Sequence, residues 1–218
     1  MPLTLTACVS AGRVPEPVAA TSFVDPFYVS MYSALPDERF PVPAIDVSQV
    51  DPALLRQEVL FAGPEGPGEL VVDPARRFLF LVRENGRALR YGVGVGKEGF
   101  DYQGDAIIAR KAEWPRWTPT QAMVRREPER YGPVAGGVPG GLDNPLGARA
   151  LYLYKNGRDT LYRIHGTNEP WSIGESLSSG CIRLFNQDII DLHRRVPTGT
   201  RVTVLTHGAS DRTAQTLV

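Results

Sequence analysis

Between Glu69 and Ala112 short apolar runs alternate with turn residues, and that rhythm commits this stretch to strands rather than helices. The runs are Glu69 to Asp73, Phe78 to Arg83, Ala88 to Val95 and Ala106 to Ala112; Asp73-Pro74, Asn85-Gly86 and Gly96 to Gly104 separate them. Asn85-Gly86 is a strong hairpin signal, because both residues tolerate the positive φ that a tight turn between twisted strands requires. Ala150 to Tyr154 and Thr160 to His165 read as a second hairpin around Lys155-Asn156-Gly157-Arg158, and Arg201 to Leu205 as a last strand. The 22 glycines and 19 prolines fit short strands and shaped loops better than a helical bundle.

Two short helices are expected. One begins at Asp51, a capping residue followed by Pro52 at the first helical position, and runs to Val59. The other runs from Gln187 to Val196, capped by Asn186 and ended by Pro197 to Gly199. The outcome is a β-rich α+β domain over residues 45–206, between a Pro- and Ala-rich tail at 1–44 and a frayed terminus at 207–218. Pro115 to Pro145 has no strand pattern and reads as one long, lid-like insertion.

Lysines plus arginines equal aspartates plus glutamates at 24 each, so the chain has no overall field to hold a nucleic acid. No apolar run reaches the roughly 18 residues of a transmembrane helix. The two cysteines, Cys8 and Cys181, are too few for a disulfide framework, and a bridge between them would silence the better nucleophile candidate. Leu5-Thr6-Ala7-Cys8 resembles a lipoprotein lipobox, with Cys8 as a lipid-anchor candidate, although only Met1 to Thr4 precede it. The alternative is an ordinary tail.

Chemistry concentrates in His165-Gly166-Thr167 and Ser178-Ser179-Gly180-Cys181-Ile182-Arg183, joined by a loop through Pro170-Trp171-Ser172. A cysteine nucleophile needs a base within hydrogen-bond reach and donors for the developing oxyanion. His165, at the end of a strand, is the base candidate; the amides at Ser179, Gly180 and Cys181 are oxyanion donors; Arg183 braces the site or holds a carboxylate. Trp114, Trp117 and Trp171 could line a groove, but bulky aromatics are more often core; Trp171, in the loop between His165 and Cys181, reads equally as either. By spacing alone, Cys181 and His165 read as well as a core thiol and a satisfied polar residue.

Other motifs fail. Gly94-Val95-Gly96-Lys97-Glu98-Gly99 has dinucleotide-fingerprint spacing but runs into strand, not helix. His193 and His207 have no acidic or cysteine partners at metal spacing, so no metal site is expected.

The segment from His165-Gly166-Thr167 through Ser178-Ser179-Gly180-Cys181-Ile182-Arg183 resembles the signature of the YkuD-type L,D-transpeptidases: His-Gly, a variable loop, Ser or Thr, a variable residue, Gly-Cys, an aliphatic residue, Arg or Asn. The likeness covers roughly Val71 to Leu205; Asn144-Pro145-Leu146-Gly147 and Asn186-Gln187-Asp188 resemble the bacterial envelope branch. It implies a mixed, β-sandwich-like fold, and no cofactor. Cys181 would be the nucleophile and His165 the base, with Gly180 and Ser179 around the oxyanion. Arg183, Ser178, Gly166, Thr167 and Trp171 would bind substrate or brace the site. Many members carry histidine where this chain has Ser179, which leaves Ser178 and Ser179 as hydrogen-bond partners only.

The resemblance also implies a reaction, acylation of the cysteine by a peptidoglycan tetrapeptide stem with loss of D-alanine, then transfer to an amine. The acceptor would be a neighbouring stem or an envelope protein, the location periplasm or cell envelope, and carbapenems the expected inhibitors. Water as acceptor would make an L,D-carboxypeptidase of the same residues. A non-catalytic wall-binding module is the other alternative, and the intact His, Gly, Cys and Arg positions argue against it.

Overall fold

The structure, a computed structural model, describes residues 24–96, 102–177 and 181–206. In chain order the strands are β1 (Gln57–Leu60), β2 (Leu70–Asp73), β3 (Phe78–Arg83), β4 (Arg87–Gly92), β5 (Gly94–Gly96), β6 (Gly104–Glu113), β7 (Arg149–Lys155), β8 (Arg158–His165), β9 (Ser176–Leu177), β10 (Ile182–Arg183) and β11 (Arg201–Val204). They form one mixed sheet in the order β1-β4-β3-β2-β11-β6-β7-β8-β10-β5-β9. Only Val93 separates β4 from β5, yet β4 lies near one end of that order and β5 near the other. Laid flat, the two would be roughly 38 Å apart at ~4.8 Å per strand. The sheet therefore curls until its ends meet.

The curl encloses the main core. Leu70, Leu79, Val95, Ile108, Leu151, Leu153, Ile164 and Ile182 supply it from the strands, and Ile189, Leu192 and Val196 from helix α4 (Asn186–Arg195) and its end. Period-two alternation explains the choice: Leu151 and Leu153 face inward, and Ala150 and Tyr152 face the other side. In β6 the register on β7 shifts between Ile108 and Arg110, which leaves Ala109 as an extra residue and reverses the alternation beyond it. Lys111 consequently points to the core side, where its ammonium donates to the carbonyls of His193 and Val196 at the end of α4.

Both hairpins form where expected. Lys155 pairs with Arg158 across Asn156-Gly157, at φ 50° and 74°, and Arg83 pairs with Arg87 around Asn85-Gly86, at φ 60° and 66°. The remaining strand expectations hold to within a few residues, except that Ala88 to Val95 is two strands broken at Val93.

Four expectations need correcting. Asp51 does accept from the Ala53 amide, but the helix stops after a single 3₁₀ turn (Pro52–Leu54), because Gln57–Leu60 is captured as β1 by the edge of β4. Asn186 does not cap α4; its carboxamide is engaged elsewhere, and the N-cap position falls to Phe185 with no side-chain bond. The segment 115–145 is not structureless: it holds α2 (Gln121–Arg126, capped by Thr120) and α3 (Pro128–Tyr131).

Nor are residues 24–44 a tail. Asp25 caps α1 (Pro26–Met31), Tyr32 is fully buried, and Glu38 forms a buried ion pair with Arg149 at 2.8 Å. The Tyr32 hydroxyl donates to Asp188 of α4 at 2.9 Å and accepts from the Arg56 amide at 2.7 Å. Burial raises the Asp188 carboxyl to about 7, against which the nearby Arg56 guanidinium acts. Aromatic residues without periodicity hid this packing from a sequence reading. Cys8 and the terminus from residue 207 lie outside the described residues. Among those described, no helix is long and apolar enough to cross a membrane.

Asn144 closes the neck of the 115–145 excursion. Its fully buried carboxamide nitrogen donates to the carbonyls of Pro115, Val138 and Pro139 at 2.9–3.1 Å, and its oxygen accepts from the Leu146 amide at 2.8 Å. Asn144→Ala would strand those backbone groups, each costing about 1–3 kcal/mol when buried and unpaired. The expected outcome is a loss of about 2–4 kcal/mol in urea unfolding, with protease cleavage appearing first between residues 115 and 145. An unchanged midpoint would show that the neck is held by something else.

Candidate active site

β8 and β10 run parallel, with Ile164 beside Ile182 and His165 beside Arg183. Ile164 and Ile182 enter the core, so by alternation His165 and Arg183 share the opposite face. Continued back by one residue, the register sets Cys181 beside Arg163, on the same face as His165 and Arg183. Cys181 is a half-buried thiol at the entrance to β10, and its carbonyl accepts from the Gly96 amide of β5 at 3.3 Å. The fifteen residues between His165 and Cys181 are thus spanned by one pairing of short strands.

His165 is only 4% exposed. Its Nδ1 lies 2.5 Å from the Gly166 carbonyl oxygen. A carbonyl can only accept, so Nδ1 carries the proton and the Nε2 lone pair is left for other work. Burial pushes the imidazole down to about 3, and the Arg183 and Arg163 guanidiniums push the same way against the Gly166 bond. The ring is therefore neutral at neutral pH, and its protonated form is a strong acid.

Arg183 is itself mostly buried and bonded to Glu169 at 2.7 Å. Glu169 sits in the loop between the two candidate residues, where its amide donates to the Thr167 hydroxyl at 2.9 Å. The loop is tied down by Asn186, whose oxygen accepts from the Ala148 amide and whose nitrogen donates to the Thr167 carbonyl, both at 2.9 Å. Gly147, at φ 59°, and Gly166 leave room for that carboxamide: a Cβ on either would come within 2.3 Å of its oxygen. Residue order carried no trace of this contact, although the Asn-Pro-Leu-Gly and Asn-Gln-Asp likenesses marked the segments that make it.

Of the expected site residues, the structure brings His165, Gly166, Thr167, Cys181 and Arg183 together around the β8–β10 junction. Ser178, Ser179 and Gly180 lie outside the described residues. Trp171 is 73% exposed on the 3₁₀ turn Pro170–Ser172; Trp114 is core, and Trp117 is half-buried beside Tyr131. Glu169, Asn186 and Arg163 were missed. Arg163 was detectable, since a residue two before His165 on one strand must share its face.

The YkuD family model, described as the L,D-transpeptidase catalytic domain, matches residues 67–204. The chain belongs to this family. A putative L,D-transpeptidase YkuD of Bacillus licheniformis is 33% identical over 191 residues, 80% of this chain and 98% of that one. Probable L,D-transpeptidase ErfK/SrfK of Escherichia coli K12 is 38% identical over 139 residues, 62% of this chain and 43% of the relative. Probable L,D-transpeptidase YbiS of the same strain is 35% identical over 148 residues, and this chain spans 47% of its length. The YkuD-family chain described here therefore covers about half of those two relatives.

A crystal structure from Brucella melitensis shares 49% identity over 73% of this chain and 99% of its own, with a TM-score of 0.51; it is named a probable carnitine operon oxidoreductase. In the present chain the Gly94-Val95-Gly96 stretch is strand β5, hydrogen-bonded between β10 and β9, and not the strand-to-helix turn a dinucleotide fingerprint needs.

The neutral, Nδ1-protonated ring is directly observable. In ¹⁵N spectra at pH 5 His165 should retain one protonated and one bare nitrogen, where an ordinary histidine of pKa near 6.5 is mostly imidazolium. A midpoint near 6.5 would mean that the ring is solvated and that the packing around it is wrong.

Proposed function

We propose that this chain is a peptidoglycan L,D-transpeptidase of the cell envelope, with Cys181 as nucleophile and His165 as its acid and base. The observation that carries the reading is the common face of Cys181, His165 and Arg183, with the His165 Nδ1 occupied by the Gly166 carbonyl.

In the first half-reaction the Cys181 sulfur attacks the L-centre carbonyl of a tetrapeptide stem as Nε2 of His165 takes the thiol proton. Burial and the two guanidiniums make the imidazolium costly, so the transfer accompanies attack rather than preceding it as a standing ion pair. The same acidity suits the next step, in which Nε2 gives that proton to the departing D-alanine nitrogen. A thioester remains. An acceptor amine then attacks the thioester and loses a proton to Nε2, which returns it to the leaving sulfur. Arg183, fixed by Glu169, braces the face and keeps His165 neutral. The amides of Ser179, Gly180 and Cys181 are the candidate oxyanion donors, each worth about 10²–10³ in rate. Trp171, exposed on the intervening loop, is the candidate wall of the stem groove.

Intact-mass analysis after incubation with tetrapeptide stems or a carbapenem tests the assignment. An adduct is expected on wild type and none on Cys181→Ala. A modified Cys181→Ala chain, or an unmodified wild type whose thiol still reacts with a small alkylating agent, would overturn it. The released product separates amide formation from hydrolysis. His165→Ala should slow acylation by about 10²–10⁴ with its thermal midpoint still cooperative, the range of a lost general base; acylation within threefold of wild type would remove His165 from the mechanism.

A further inference from the structure

The face that carries Cys181 and His165 continues across β8, β7 and β6. Pairing aligns Arg163 with Tyr152 and Tyr152 with Arg110, so one row runs Arg110, Tyr152, Arg163 and ends at Cys181. The Arg110 guanidinium lies over the Tyr152 ring at 3.5 Å from its centroid, and that of Arg163 at 4.4 Å, one from each flanking strand. Arg110 is on this face only because the extra residue at Ala109 reverses the alternation; continued straight from Ile108, the strand would aim it into the core. Bulges re-aim side chains in this way next to functional sites.

The two arginines differ in how they are used. Arg163 is held in a bidentate pair by Asp159, at 2.7 and 2.8 Å, and also donates to the Tyr162 carbonyl. Arg110 is exposed, and among the described residues it has no carboxylate within ion-pair distance and no hydrogen-bond acceptor; the Tyr152 ring is what holds it. Stacking fixes the guanidinium plane and leaves its N–H groups for another acceptor. With Arg183, the face presents three guanidiniums against the carboxylates of Asp159 and Glu169, and Arg110 adds to Arg163 in holding the Asp159 carboxyl below its usual range. Three cations share two anions, so the face is positive, and Arg110 is the one with no carboxylate bonded to it.

Distance selects the ligand group. Three strand spacings separate the Arg110 backbone from Cys181, and the stacked guanidinium lies about one strand closer, roughly 10 Å from the nucleophile. The carboxylate of the departing residue is only about one residue length, ~3.8 Å, from the carbonyl under attack, and is too near. A carboxylate at the end of an extended side chain on the acylated residue has the right reach. We propose that Arg110, stacked on Tyr152, binds the side-chain carboxylate of the donor residue acylated at Cys181, and so determines donor specificity. This rests on the L,D-transpeptidase reading above.

The test compares two synthetic tetrapeptide donors that differ in one group, a free side-chain carboxylate or its carboxamide on the acylated residue. Wild type should prefer the carboxylate in kcat/KM. In Arg110→Ala that preference should fall about tenfold, mainly through KM of the carboxylate donor; Arg110→Lys should keep it within about threefold, and Arg110→Glu should reverse it. A preference unchanged in Arg110→Ala and Arg110→Glu, with wild type active, would overturn the subsite alone, as would equal losses on both donors. A wild type acylated by neither donor would overturn the transpeptidase reading and the subsite with it.

Discussion

The candidate active site depends on a parallel pairing two residues long. β10 contains only Ile182 and Arg183, and it lies between β8 and β5. That pairing fixes which residue of the 182–183 strand faces His165. A slip of one residue would turn Arg183 into the core and Ile182 onto the face, because side chains alternate with a period of two. Register is protected by burial: Ile164 and Ile182 belong to the main core, and neither tolerates the other side.

Two asparagines do for the loops what the register does for the strands. Asn144 and Asn186 each use both ends of a carboxamide, one to close the 115–145 excursion and one to bind the Ala148 and Thr167 backbones together. Fully satisfied polar groups in a low-dielectric interior specify a single arrangement, since any alternative leaves them unpaired. The N-terminal segment is held by polar contacts as well, the Tyr32 hydroxyl bonding Asp188 and the Arg56 amide and Arg56 ion-pairing with Asp188, which brings residues far apart in the chain onto α4.

The electrostatics of the face follow from that packing. A histidine at the surface would titrate near 6.5; enclosed beside two guanidiniums it stays neutral, with its proton on the nitrogen nearest the Gly166 carbonyl. The positive surroundings of Cys181 and the neutrality of His165 therefore have one cause. Arg163 belongs to both, as a neighbour of His165 and as one side of the Tyr152 stack.

The strands and both hairpins were legible in the sequence because their cues are local: apolar runs, turn residues, and Asn-Gly pairs that accept positive φ. The His-Gly and Ser-Ser-Gly-Cys-Ile-Arg segments were legible as candidate chemistry through their resemblance to the YkuD signature, since spacing alone fits a core thiol and a satisfied polar residue equally well. Residues 51–59 and Asn186 were misread, since helix propensity and capping potential are weak beside a strand edge or a loop needing a carboxamide. Residues 24–44 and 115–145 were read as shapeless because their order comes from partners elsewhere in the chain. What the sequence by itself determined was which residues are candidates for the chemistry and which runs become strands. Only the tertiary structure decided that the sheet curls to meet itself, that Cys181, His165 and Arg183 share a face, and that one extra residue at Ala109 turns Arg110 toward them. Register and bulges are relations between strands, and no single strand encodes them.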